Sequence, residues 1–103
     1  MLIYCAHKYG GNELNKISVE KTIRHLQTKD PHNTYISPIH TFGYIYNDVS
    51  YDRGMDLCLS LLAKCDALLV LSEESEGVRR EIEYAKRNGK PMLFMRGEEL
   101  WLK

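Results

Sequence analysis

Residues 65–91, CDALLVLSEESEGVRREIEYAKRNGKP, leave the chain little choice of architecture. Residues 67–71 are an unbroken apolar run of strand length, and Val78, Ile82 and Ala85 recur at helical spacing behind Ser75. Serine is a good N-cap because its hydroxyl accepts a hydrogen bond from the open first turn. Gly89, which tolerates the left-handed backbone that ends helices, supplies the stop, and the next apolar run begins at Pro91. A buried strand followed by a few polar residues and an amphipathic helix is half of a βαβ unit. In an open α/β sheet that junction lies at the carboxyl edge, where ligands bind, and the helix offers unpaired N–H groups that suit a phosphate.

Within this stretch Gly77 bears on Glu81. Helical side chains lean toward the N-terminus, so a side chain at position 77 would crowd the carboxylate one turn later, and glycine predicts an open approach to it. The competing reading of Glu81 is a solvated helix-face glutamate paired with Arg80 or Lys86. Arg79 and Arg80 read as ordinary surface charge, the alternative being that one of them reaches a phosphate across a subunit boundary.

The rest of the chain supplies the other elements. Residues 2–6 form a short apolar strand running into His7-Lys8-Tyr9-Gly10-Gly11-Asn12, whose paired glycines permit close backbone approach to a ligand or serve a plain strand-to-helix turn. That loop is the second candidate wall of a site. Leu14, Ile17, Ile23 and Leu26 mark a first helix, capped by Asn12 and ended at Lys29-Asp30-Pro31. Residues 34–37 are a second strand stopped by Pro38. Residues 39–51 lack a sustained period but are dense in tyrosines and hydrogen-bonding groups, His40 among them, which predicts a lid, a base-stacking wall or a dimer contact. Residues 51–64, with Met55, Leu59 and Leu62, form a second helix on which Asp56 either caps the early turns or points into the site. Leu100 and Trp101 are too apolar for a free tail and are expected to dock on the core or on another subunit.

The order β-α-β-α-β-α-β predicts a single α/β domain spanning residues 1–103. It is a Rossmann-like, doubly wound parallel sheet of four or five strands, ordered 2-1-3-4, with helices on both faces. Its ligand crevice falls at the carboxyl ends of the first and third strands.

Charge and cysteine usage remove several classes of partner. Lysine plus arginine number 14, equal to aspartate plus glutamate, so no basic field exists to grip a polymeric nucleic acid or an anionic membrane. The longest apolar run is far short of the roughly 20 residues that span a bilayer, and the chain is expected to be cytoplasmic. Cys5, Cys58 and Cys65 have no CxxC spacing and read as buried free thiols, and the four histidines are scattered. Neither a metal nor another cofactor is expected.

IYCAHKYGG at the start, Asp56, CDALLVL and SEGVRREIEYAKRNGKP together resemble the nucleoside 2-deoxyribosyltransferase superfamily over nearly the whole chain. The similarity is to its small phage- and prophage-type members and to deoxynucleoside 5′-monophosphate N-glycosidases. The resemblance implies a Rossmann-like homodimer or larger assembly in which the Ser-x-Gly-x-x-x-Glu spacing makes Glu81 the nucleophile. It makes Asp56 the partner carboxylate that assists base departure, puts Tyr4 beside the sugar and folds the Gly10-Gly11 loop over it. Ser75 stands where the transferases on free nucleosides tend to carry aspartate and the monophosphate hydrolases serine, which can donate to a 5′-phosphate. His7, Lys8 and Tyr9 depart from the commoner loop residues. The chemistry expected is glycosidic cleavage through a covalent deoxyribosyl intermediate, one carboxylate trapping C1′ and a second handling the proton.

The substrate-binding candidates are therefore Tyr4, His7, Gly10, Gly11, His40, Ser75 and Gly77, with Glu81 and Asp56 catalytic. The partner is a small nucleotide or nucleoside. Base exchange on a nucleoside, a nucleotide-binding module that does not cleave, and a protein-interaction domain are the alternatives.

Overall fold

A computed structural model describes residues 1–96 and 99–102. The elements are β1 (Leu2–Ala6), α1 (Glu13–Lys29), β2 (Thr34–Ile36), α2 (Pro38–Phe42), a 3-10 turn (Gly43–Ile45), α3 (Tyr51–Ala63), β3 (Ala67–Val70), α4 (Glu76–Arg87), β4 (Met92–Arg96) and β5 (Glu99–Leu102). They build one sheet ordered β2-β1-β3-β4-β5. The first four strands are parallel in the expected 2-1-3-4 order, and β5 joins β4 antiparallel. Two residues separate β4 from β5, too few for a crossover, so the fifth strand can only turn back. The side chains of Leu100 and Trp101 lie outside the described residues.

Alternation along the strands divides the core between two faces. Tyr4, Ala6, Leu68 and Val70 point toward α3 and α4, where they meet Leu62, Val78, Ile82 and Ala85. Ile3, Cys5, Ala67 and Leu69 point the other way, toward Leu26 and Ile23 of α1. β1 and β3 are buried along nearly their whole length because both faces are covered, as a parallel sheet requires.

Two sequence expectations change. Leu14 and Ile17, counted into the core of the first helix, are 73% and 53% exposed. The inward side of α1 is set by Val19, Ile23 and Leu26, and positions five and two residues before Val19 fall on roughly the opposite side at about 100° per residue. The segment expected to be one long loop instead begins with α2. Pro38 takes its first turn and the Ser37 hydroxyl caps it, accepting from the His40 N–H at 3.2 Å. A helix of five residues is too short for its period to show in sequence. Among the described residues, no helix is long and apolar enough to cross a membrane.

Candidate active site

Adjacent strands β1 and β3 send their chains to opposite faces of the sheet, β1 into α1 and β3 into α4. The crevice between these departures opens a cavity of about 600 Å³, a size suited to a small-molecule ligand. Its walls are the loop after β1, the α2 segment with the 3-10 turn, one side of α3 and the first turns of α4.

Glu81 lies in the lining and is only 5% exposed. It is buried because α4 presents Val78, Glu81, Ile82 and Ala85 together to the sheet, at the spacing of one helix face. Beneath it, Tyr4 belongs to the β1 face turned toward α4, and its hydroxyl donates a hydrogen bond to Glu81 Oε2. Burial pushes the Glu81 carboxyl up to about 7, against the opposing pull of the Tyr4 hydrogen bond. Burial, with the Glu81 charge behind it, likewise holds Tyr4 well above the usual phenol range.

The third member of this cluster is Cys58. It lines the cavity, and burial and then the Glu81 charge push its thiol up to about 11. Read from sequence as a plain buried thiol, Cys58 is instead part of the site. The signal that could have found it is the stripe Tyr51, Met55, Cys58, spaced four and three residues apart, all of which line the cavity.

Asp56 is placed differently from the expectation. It is exposed and outside the cavity lining. Two residues before Cys58, it falls on roughly the opposite side of α3. Within the chain's own cavity Asp56 and Glu81 are therefore not brought together.

Of the remaining candidates, His7, Gly10, Ser75 and Gly77 line the cavity, and Tyr4 reaches it through Glu81. The His7 ring donates from Nδ1 to the Lys8 carbonyl at 2.6 Å. Ser75 Oγ caps α4 by accepting from the Val78 N–H at 3.2 Å. Gly10 and Gly11 form a tight turn with φ of +60° and +72°, closed by the Asn12 N–H on the Tyr9 carbonyl at 3.0 Å. Gly11 is outside the lining and packs against Tyr46, whose ring would lie 3.2 Å from an added Cβ. Tyr46 also meets Tyr9 edge-on at 4.9 Å, joining the glycine turn to the segment after α2.

His40 is exposed and away from the cavity, with Nδ1 2.8 Å from Ser37 Oγ and Nε2 3.9 Å from Glu20 on α1. The space above Gly77 is also less open than expected: a Cβ there would lie 3.2 Å from the Tyr51 hydroxyl and 3.5 Å from Met55 Sδ. Glycine here lets α3 approach α4, and Glu81 is reached from the cavity side.

At the mouth, Lys8 pairs with Glu73, whose carboxyl is thereby held below its ordinary range, and the Lys8 N–H donates to Ser72 Oγ at 3.0 Å. Arg80 is tied to α3 by Asp52 at 3.3 Å and by the Tyr51 ring. Among the described residues, no group of three or more His, Cys, Asp or Glu side chains is gathered to hold a metal ion.

The arrangement presents a largely apolar, aromatic-walled cavity with one buried carboxyl at its inner surface and hydrogen-bonding groups on the two strand-to-helix loops. No curated protein and no solved structure matches the chain. Residues 1–94 match the model of a family described as a domain of unknown function, DUF4406. As that span is nearly all of the 103 residues, the chain belongs to the DUF4406 family.

Proposed function

We propose that the chain cleaves the N-glycosidic bond of a 2′-deoxynucleoside 5′-monophosphate, with Glu81 as nucleophile. The observation that carries this reading is a buried carboxyl, held by Tyr4, facing a cavity of nucleotide size. Burial makes the Glu81 anion costly, and an oxocarbenium-like C1′ supplies the positive charge that relieves the cost. The carboxylate is thus better matched to the transition state than to a neutral sugar. Glu81 adds to C1′ as the bond to the base breaks, the base nitrogen keeps the bonding pair and takes a proton from water, and a second water then hydrolyses the sugar ester. Phe42 and Tyr46 offer the base an aromatic wall, and Ser75 offers the phosphate a hydroxyl at the start of α4. The resemblance to nucleoside 2-deoxyribosyltransferases supports the same assignment, and transfer to a second base in place of water is the close variant.

The test is incubation with each deoxynucleoside and its monophosphate, followed by chromatography for free base. Wild type should release base from a monophosphate, and Glu81→Gln should not. Undiminished release by Glu81→Gln would end the nucleophile assignment. The position of Asp56 favours a second reading, binding without cleavage, because the proton-handling carboxylate is turned away from Glu81. Tight nucleotide binding by wild type without base release would select it.

A further inference from the structure

We propose that Lys8 is the cationic contact for a phosphate in this cavity, beside the Ser75 hydroxyl, and that Glu73 is its internal competitor, so that a ligand phosphate must displace the Glu73 carboxylate. The inference rests on the nucleotide reading above. Among the cavity-lining residues Lys8 is the one lysine or arginine, and the other formally charged groups there, Glu76 and Glu81, are acidic. A phosphate entering this lining finds no other fixed cation. Yet Lys8 is already engaged with Glu73, on the loop that links β3 to α4. Neither partner is buried, with 41% and 70% of their side chains exposed, so the pair opens to solvent at little cost.

The geometry makes the exchange local. The Lys8 backbone is fixed by its N–H on Ser72 Oγ, so the ammonium can swing on its own four-carbon stem while its anchor stays in place. A dianionic phosphate is the stronger partner for the ammonium than a single carboxylate. The same contact therefore distinguishes a monophosphate from a nucleoside, which has nothing to offer Lys8 and leaves the Lys8–Glu73 pair intact. Freed Glu73 returns to water, where an exposed carboxylate is well solvated.

The experiment measures binding rather than turnover, in the Glu81→Gln background, by calorimetry with each of the four common 2′-deoxynucleoside 5′-monophosphates and its nucleoside. Lys8→Met should weaken the monophosphate at least tenfold and the nucleoside less than twofold, with Lys8→Arg recovering most of the loss. Glu73→Gln should strengthen the monophosphate several-fold and leave the nucleoside unchanged. Thermal unfolding of each variant checks that the loop substitutions leave the fold standing. Equal effects on both ligand classes, or none from either substitution, would overturn the assignment to Lys8 even where wild type releases base. Failure of every monophosphate to bind any variant would overturn the nucleotide reading and this inference with it.

Discussion

At the level of single residues, Glu81 carries a measurable signature of its burial. Its carboxyl rises from an ordinary 4.5 to about 7 in the folded chain, chiefly through desolvation. The folded state therefore keeps a proton that the unfolded chain releases. The stability tied to that proton is full below about pH 4.5 and is lost as pH rises through about 7. At about 1.4 kcal/mol for each tenfold change in proton affinity, the loss is on the order of 3 kcal/mol at most. Glu81→Gln retains an acceptor for the Tyr4 hydroxyl without a charge, so it should unfold several degrees higher than wild type at pH 8 and at about the same temperature at pH 4. Thermal melts across that range check it; an equal gap at both ends would mean that Glu81 is not held proton-rich by the fold. The same proton must leave before Glu81 can attack, so base release should rise with pH and level off above about 7. Tyr4→Phe removes the hydrogen bond that favours the anion, which should move that limb to higher pH.

Among the elements, α4 shows most clearly what was legible in sequence and what was not. Its cap, its inward stripe and its stop could all be read because twelve residues are enough for periodicity to speak, and Ser75 does cap it. Glu81 could be singled out there by the Ser-x-Gly-x-x-x-Glu spacing behind the family resemblance, although Gly77 admits α3 rather than opening the approach to it. Its burial and its tie to Tyr4 could not, because they depend on how β1 and α4 are stacked across 77 residues of sequence. On α3 Asp56 stands out over Cys58 in the sequence, because a carboxylate looks functional in a string of letters, whereas the rotation of the helix that turns Cys58 toward the cavity is set by packing. α2 was hidden by its brevity. The double service of Ser75 leads to an element-scale prediction. Ser75→Ala should cost about 1 kcal/mol of stability through loss of the cap, quite apart from any ligand. Ser75→Asp keeps a capping oxygen and complements the helix dipole, so it should unfold like wild type yet bind a monophosphate at least tenfold more weakly, by charge repulsion. Denaturant titration beside binding to monophosphate and nucleoside separates the two roles. Weakening of both ligands alike by Ser75→Asp would show that Ser75 does not read the phosphate.

For the molecule as a whole, several large apolar side chains stand in water. Leu14 is 73% exposed and Tyr44 81%, with Ile17, Tyr46 and Tyr51 also standing well out of the core. Tyr46 and Tyr51 line the cavity, so their exposure is exposure at the mouth of the site itself. Each 100 Å² of apolar surface left in water forgoes roughly 2.5 kcal/mol, and a self-complementary pairing of these groups would recover part of that against the entropy of association. A two-fold contact over the tyrosines would roof the cavity and exclude water from around Glu81. The chain is therefore predicted to work as at least a dimer, with Tyr44→Lys weakening association and base release together and Leu14→Lys weakening association alone if the α1 patch forms a separate contact. Light scattering over a concentration series, run beside the base-release assay, tests this. Activity per chain should fall on dilution in step with the loss of dimer. A species that is monomeric at micromolar concentration and fully active would leave the tyrosine segment as a lid over its own cavity.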